Sequence, residues 1–324
     1  MENDIIELSE KGITVRVILD SLIKSGIRIT TFELEYPRFV HAELMTHRVF
    51  SRNAASSRAI PVKKLLSRTL KEMVMPVHWG ANQPGMQADG QLSGIRLWLA
   101  KKVWRMTGRA EVVGAWLLNK IGLHKQISNR PMEAHHNIKI VMTSTEWDNW
   151  YNLRNHKDAQ PEIALLAKLM AKAHGLSFNP EAQLYPGHWH IPYVVSTVEA
   201  INNKQQFWLD GETISLEQAL KISSSCCAQI SYRLLDTGLD KAISLYDRLI
   251  NSEPRHSSPF EHCAKVPLQH KTTVFNPSSW EKGITHMNKQ GCFWSNNFKG
   301  MIQYRAVLEQ TFKENSCVNY LFVV

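Results

Sequence analysis

FELEYPRFVHAELM, Phe32 to Met45, is the stretch on which the fold turns. Phe32, Leu34 and Tyr36 alternate as in a strand, Pro37 ends the run, and Val40, Leu44 and Met45 recur at helical spacing. This predicts a strand feeding a helix, with His47 and Arg48 on that helix's last turn. The chain continues as THRVFSRNAASSR, Thr46 to Arg58, in which seven residues separate Arg48 from Ser56 and Arg58 lies two further on. Guanidinium forks match the geometry of phosphate and carboxylate, so this segment reads as an anion-binding edge. The plainer alternative is that cations at a helix C-terminus complement its dipole and extend into solvent.

With 324 residues, 44% of them hydrophobic, and ten tryptophans, the chain can bury a substantial core. It has no run of eighteen apolar residues, and the start MENDIIELSE is too acidic for a signal peptide. A soluble, cytoplasmic protein with no membrane contact is expected. Five cysteines without a CxxC spacing argue against a disulfide framework or a thiolate zinc site. Cys226 and Cys227 read as small buried residues. A net charge of +9 suggests an acidic partner, either nucleic acid or a phosphorylated small molecule. Basic residues gather at Lys63 to Lys71 and at Arg96 to Arg109, where WLAKKVWRMTGR interleaves them with Trp98 and Trp104. That pattern fits either a phosphate- and base-gripping face or an amphipathic helix with Leu97, Trp98 and Val103 toward the core.

The loop MPVHWGANQPGMQADGQLSG, Met75 to Gly94, is long and aperiodic, which suggests a binding or lid segment or else a well-anchored structural loop. Helices are expected near 95–106 and 110–122. A further helix carries Trp147, Trp150, Tyr151 and Arg154, and another begins at Pro161 with Leu165, Leu166, Leu169, Met170 and Ala173 as its apolar stripe. Asn152, Arg154, His156 and Gln160 therefore meet at a helix junction, where either a ligand or a capping network supplies their partners. His188 and His190 could share one strand face as metal ligands, but no third ligand stands at a suitable spacing. Ser215 and Gln218 form a capping-box pattern before SSSCCAQISYRLL. In RHSSPFEH, Arg255 to His262, Ser258 can cap a helix with Pro259 first and Glu261 as reciprocal partner; its free amides, beside Arg255 and His256, could receive a phosphate.

Three of these segments together resemble one family. THRVFSRNAASSR is similar to the RHR-x7-S motif of the flavin-dependent thymidylate synthases, NLRNHKDAQPEI to their NLR-xxxx-AQxEI segment, and RHSSPFEH to their H-x-(S/T)-P-x-E-H segment. The resemblance implies an α+β fold, a mixed or antiparallel sheet with flanking helices. The segments similar to AQISYR and HSSPFEH come first in the family and last here, so the order suggests a circular permutation. One catalytic domain over 1–324 is expected, either undivided or as two intertwined halves (1–175 and 176–324), with 75–94 as an insertion or lid. NFKGMIQYR, Asn297 to Arg305, weakly echoes Phe39 to Arg48 and could cover a rearranged edge.

By the same resemblance, FAD is held at the interfaces of a homotetramer, with NADPH and methylenetetrahydrofolate as co-substrates of one-carbon transfer to C5 of dUMP. His47, Arg48, Asn152, Arg154, Ser231, His256 and Ser258 correspond to flavin-contacting positions, and Ser56 and Arg58 to nucleotide-contacting ones. Arg48, Arg58 and Arg154 are the candidates for orienting the pyrimidine and stabilising charge that develops on it, since this chemistry needs no protein nucleophile. The chain departs from the pattern at Thr46, Ala54 and Ala164, which stand where the family has Arg, an acidic residue and Arg, and at Glu43, which stands for Gln. Each lost guanidinium removes charge-assisted contacts of about 1.5 to 3 kcal/mol. Arg52, Arg130, His135 and His136 are candidates for compensation. A viral-type hydroxymethylation of dUMP or dCMP is the alternative, with Glu43 accepting from the amine of a cytosine. A non-catalytic nucleic-acid-binding protein on the same fold is the reading from another class.

Overall fold

The computed structural model describes residues 6–181, 183–230 and 238–315. In chain order, strands β1 (Glu7–Glu10), β2 (Ile13–Ile23) and β3 (Arg28–Pro37) lead through a 3-10 turn into the short helix α1 (His41–Met45) and strand β4 (Ser51–Ala54). Helix α2 (Val62–Lys71), the long helix α3 (Gly94–Lys120) and the single turn α4 (Lys125–Ser128) precede β5 (Asn137–Ser144). Then come α5 (Asp148–Arg154) and α6 (Pro161–Leu176). The second half holds short strands β6 (Gln183–Leu184), β7 (Trp189–His190), β8 (Val195–Val198), β9 (Gln205–Leu209) and β10 (Glu212–Ile214), then α7 (Leu216–Gln229) and α8 (Leu239–Asn251). Strands β11 (Ala264–Lys265), β12 (His286–Met287), β13 (Phe293–Ser295), β14 (Phe298–Lys299) and β15 (Ile302–Gln303) lead to α9 (Tyr304–Asn315). The fold is α+β.

The main sheet runs β1-β2-β3-β5-β4, antiparallel throughout, with β6 joining β2 in parallel. β3 lies at its centre because both of its faces find cover. Phe32, Leu34 and Tyr36 are fully buried in the larger core with Phe50, Trp147, Trp150, Leu166 and Met170. Burying each such side chain contributes about 1.5–3 kcal/mol. The intervening Thr31, Glu33 and Glu35 point the other way. Thr31 bonds Thr143 at 2.7 Å, Glu33 meets Lys139 at 2.6 Å, and Glu35 pairs with Arg68.

That polar face meets the second half of the chain. Ser21, His190, Thr31, Thr143 and His262 form one buried hydrogen-bonded series, with successive contacts of 2.9, 2.9, 2.7 and 2.9 Å. His190 is thereby committed to the sheet, and His188 contacts the Asn203 carbonyl, so the two do not share a ligand. Among the described residues no cluster of His, Cys, Asp and Glu could hold a metal ion. Cys226 and Cys227 are fully buried cysteines outside any disulfide, as their surroundings in sequence suggest.

Several expectations change. The two helices near 95–106 and 110–122 are one continuous helix, α3, because Gly108 packs its bare backbone against Met73 and His135 instead of breaking it. Leu97 turns partly inward on α3, but Trp98 and Val103 are 56% and 54% exposed. α1 ends at Met45, itself 45% exposed, so His47 and Arg48 follow the helix and do not ride on it. RHSSPFEH forms a 3-10 turn over Ser258–Glu261 with no side-chain cap, because Glu261 pairs with Arg305 instead of the turn's own amides. It offers no helix start for a phosphate.

The capping box of Ser215 and Gln218 is present in full. Ser215→Ala is expected to lower stability by about 1 kcal/mol in urea unfolding, without changing the slope of the transition. Asn297 donates to the Val49 carbonyl at 2.9 Å, and Gln303 donates to Ser51 at 3.1 Å. NFKGMIQYR thus covers the outer edge at β4, where unpaired backbone groups would otherwise invite association. No helix among the described residues is long and apolar enough to cross a membrane.

Candidate functional site

Arg154, on the last turn of α5, reaches across to the segment after α1. Its Nε donates to His47 Nε2 at 3.0 Å, while its terminal nitrogens meet Thr46 Oγ1 at 3.3 Å and Glu43 Oε2 at 3.4 Å. Trp150, one turn earlier, is buried against the His47 ring at 4.9 Å between centroids, and Phe50 stacks on the ring at 5.8 Å. His47 is 5% exposed, and burial, then Arg154 and Arg52, push its pKa below the usual imidazole range. The acceptor at Nε2 and the lowered pKa describe a neutral ring with its proton on Nδ1. Arg52 donates to the carbonyls of His47 and Met45 at 3.1 and 3.3 Å, fixing the bend between α1 and β4.

Glu43 and Arg154 stand on the wall of a cavity of about 850 Å³, within the range of small-molecule sites. Phe39, Trp104 and Met86 give it apolar surface, and His156 and Lys157 add basic side chains. The loop after Met75 closes one side. Gln87 donates to the Asp158 carbonyl at 2.6 Å, and the Val77 amide donates to Glu162 at 2.8 Å. Glu162 is 2% exposed and also receives Gln160. The glutamate of AQPEI therefore works as an anchor for the loop, a role invisible until residues 85 positions apart are seen together. Within the loop Gly80 packs so closely that a Cβ would stand 2.3 Å from Ala88 Cβ. Glu162→Ala is expected to speed proteolytic cleavage within 75–94 about tenfold, the factor for about 1.4 kcal/mol of anchoring.

A second, smaller cavity of about 160 Å³ lies beyond β4. Arg38, Lys64, Arg68, Lys139 and His136 line it, with Glu33, which pairs with Lys139, and with Ala55 and Ile60. His136 Nδ1 donates to the Asn137 carbonyl at 2.9 Å, which leaves the buried Nε2 without a partner. No single stretch of sequence announces this cationic pocket. Only Lys64 and Arg68 fall in a basic run; Glu33, Arg38, His136 and Lys139 come from β3, the turn after it and the start of β5, and Gln229 and Ile230 from the end of α7.

The sequence-derived residues separate as follows. His47, Glu43 and Arg154 form one bonded group. Arg48, Arg58 and Asn152 are exposed nearby in sequence, with Ser56 half-buried. Ser56 and Arg58 are in the lining of neither cavity, although Ala55 and Ile60, on either side of them in the chain, line the cationic one. The turn at 258–261 packs against β4, and Glu261 feels the charge of Arg52, yet His256 and Ser258 are themselves exposed. The His256 amide bonds only within its own turn, to Ser252 and Leu249. Ser231 lies outside the described residues. Of the compensation candidates, His136 alone lines a cavity: Arg52 holds carbonyls, Arg130 pairs with Glu133 at 2.8 Å, and His135 pairs with Glu111 at 2.7 Å.

The model of the family described as thymidylate synthase complementing protein matches residues 28–175. That span holds the sheet centre, α1, both cavities' principal walls and two of the three motifs, and over it the chain is similar to that family. No curated protein matches the chain. Among solved structures, a UMP/dUMP methylase PolB from Streptomyces cacaoi, bound with 5-Br dUMP, is similar with a TM-score of 0.37 and 16% identity. That match covers 48% of this chain and 68% of the other.

Proposed function

We propose that this chain, whose residues 28–175 carry the thymidylate synthase complementing protein segment, transfers a one-carbon unit to C5 of a deoxypyrimidine monophosphate. Methylation of dUMP is the first reading. The observation that carries it is the Arg154–His47 hydrogen bond at 3.0 Å, which joins the NLR…AQPEI and THR…S motifs at the edge of a cavity of ligand size. The residues suit a flavin. Trp104 and Phe39 offer apolar surface, Arg154 and Lys157 offer charge for a diphosphate, and His78, on the cavity wall, has a buried Nε2 without a partner.

His47, Arg48, Asn152 and Arg154 would hold FAD, with Ser231, His256 and Ser258 as the further positions from the resemblance. When bound, the flavin supplies the redox chemistry, with NADPH as reductant and methylenetetrahydrofolate as carbon donor. The chain's own part is orientation and charge. Arg154 fixes His47 as a neutral ring, so that the His47 Nδ1–H is left to donate to a ligand while Arg154 keeps its positive charge beside it. Arg48, Arg58 and Arg154 supply positive potential to the ring being modified. Ser56, Arg58 and the cationic cavity receive the nucleotide phosphate, with Arg38, Lys64 and Arg68 supplying the positive charge there. The loop 75–94 excludes water from the larger cavity. A homotetramer, with sites shared between copies, follows from the same resemblance, as does a cytoplasmic location.

Glu43 favours a second reading, hydroxymethylation of dUMP or dCMP. Its carboxylate stands on the cavity wall, where it can accept from a cytosine amine. The absorption spectrum of the purified protein, with and without added FAD, tests the flavin site. A bound-flavin band, perturbed by dUMP or dCMP, is expected; a colourless protein that leaves free FAD unperturbed removes both readings. Glu43→Gln is expected to weaken dCMP relative to dUMP about tenfold if cytosine is the base bound, measured as displacement of that spectral change.

A further inference from the structure

The long helix α3 is apolar on two opposite sides. One side packs on its own subunit: Gly108, Val112 and Ala115 are buried, and Trp104 donates its indole N–H to the Val74 carbonyl at 2.8 Å. The other side faces solvent and carries Leu99, Val103, Met106, Ala110, Val113 and Leu117. Those positions are spaced by alternate steps of four and three, the seam of a coiled coil. A helix of 27 residues spans about 40 Å, so a seam about 10 Å wide presents about 400 Å² of largely apolar surface. Patches of that size mark interaction sites.

The seam is also a palindrome about Gly108. Met106 and Ala110 lie at equal steps from it, as do Val103 and Val113, Leu99 and Leu117, and Ile95 and Ile121. Exposures match across the centre: 54% and 55% for the valines, 48% and 50% for the leucines, 73% and 78% for the isoleucines. A partner of unrelated sequence would require no such symmetry, whereas an antiparallel second copy requires it, because a twofold interface presents the same patch from both sides.

We infer that α3 pairs antiparallel with α3 of a second copy of this chain, about a twofold axis beside Gly108. Leu99 then packs on Leu117 of the other copy, Val103 on Val113, Met106 on Ala110, and Ile95 on Ile121. Trp98 and Trp116, each about half exposed, flank the seam and add roughly 100 Å² apiece. The total, about 600 Å² per partner, is at the low end of standard interfaces. Lys102 and Arg109 border the seam, and the two Arg109 side chains come close to the axis. The pairing therefore strengthens as salt screens them. This names the surface behind one contact of the proposed oligomer, and its readout is mass, so it stands or falls apart from the flavin reading.

The test is sedimentation equilibrium of the full chain. The native protein is expected to form dimers or a multiple of them. Val103→Glu is expected to halve that mass, raising the dissociation constant roughly a hundredfold. Val113→Lys is expected to do the same. The double variant Val103→Glu with Val113→Lys is expected to recover the native mass, because each Glu then faces a Lys of the other copy. On its own helix the two lie ten residues apart, too far to pair. A parallel pairing would set like charges against each other and would not recover. Met106→Cys with Ala110→Cys supplies a second reading, since the pair is expected to crosslink between copies on oxidation. A native chain that stays monomeric overturns the inference, including one that binds anionic vesicles through this helix. So does a Val103→Glu variant of unchanged mass, a double variant that remains dissociated, or cysteines that do not crosslink.

Discussion

Arg154→Met is expected to weaken FAD binding by a factor between about 10 and about 150, the loss of one charge-assisted contact worth about 1.5 to 3 kcal/mol. The guanidinium holds three groups of the preceding motif, His47, Thr46 and Glu43, and no other residue makes all of those bonds. Methionine keeps the length and the apolar stem but removes the donor to His47 Nε2, so either ring nitrogen can carry the proton. Arg154→Lys retains charge without the fork and is expected to recover only part of the affinity. The Arg154 side chain is 22% exposed and α5 is held by the buried Trp150, so the melting temperature is expected to change by no more than a few degrees. Equal flavin affinity in native and Arg154→Met proteins would remove Arg154 from the site.

Acid is expected to unfold the protein well above the pH at which carboxylates titrate. His190 and His262 are fully buried, and burial holds both at about 3, with Asp20 opposing the shift at His190 and His190 adding to it at His262. His41 and His174 are held at about 4, again chiefly by burial. In the unfolded chain each returns to about 6.5. The unfolded state therefore binds more protons below pH 6.5, and stability present above that pH is lost as pH falls toward 4 and then 3. Two such histidines give a slope of about 3 kcal/mol per pH unit near pH 5, a large share of the 5–15 kcal/mol that holds a domain together. Melting curves at pH 7.5, 6.0 and 5.0 check this. A steep fall is expected, and His190→Gln with His262→Gln should flatten it at the expense of stability at neutral pH. An unchanged melting temperature across that range would show the histidines to be hydrated.

What could be read from the sequence was what is local and periodic. Phe32, Leu34 and Tyr36 gave β3 by alternation, Pro161 opened α6, and Ser215 with Gln218 gave the start of α7, because each signal lies within one element. RHSSPFEH had the same kind of local signature, and there a distant partner won: Arg305 takes Glu261, which leaves a 3-10 turn in place of a capped helix. Two helices are expected from the sequence near 95–106 and 110–122, but Gly108 between them is what allows one continuous helix to lie against Met73 and His135. The cationic cavity was hidden for a related reason. Arg38 and Lys139 look like ordinary surface residues, and His136 is a candidate without a place, until the β3–β5 pairing brings Arg38 beside His136, whose carbonyl accepts the Arg38 amide at 3.1 Å. The motif residues were found by resemblance, and among the described ones Arg154 is bonded to His47, Thr46 and Glu43, whereas His256 and Ser258 are exposed away from that group.

The most direct test of the central claim is the mass of the nucleotide recovered after incubating the protein with FAD, NADPH, methylenetetrahydrofolate and either dUMP or dCMP. A deoxypyrimidine monophosphate bearing a new methyl or hydroxymethyl group at C5 is predicted, formed only when folate is present and lost with Arg154→Met. NADPH consumption that leaves both nucleotides unmodified would contradict the account.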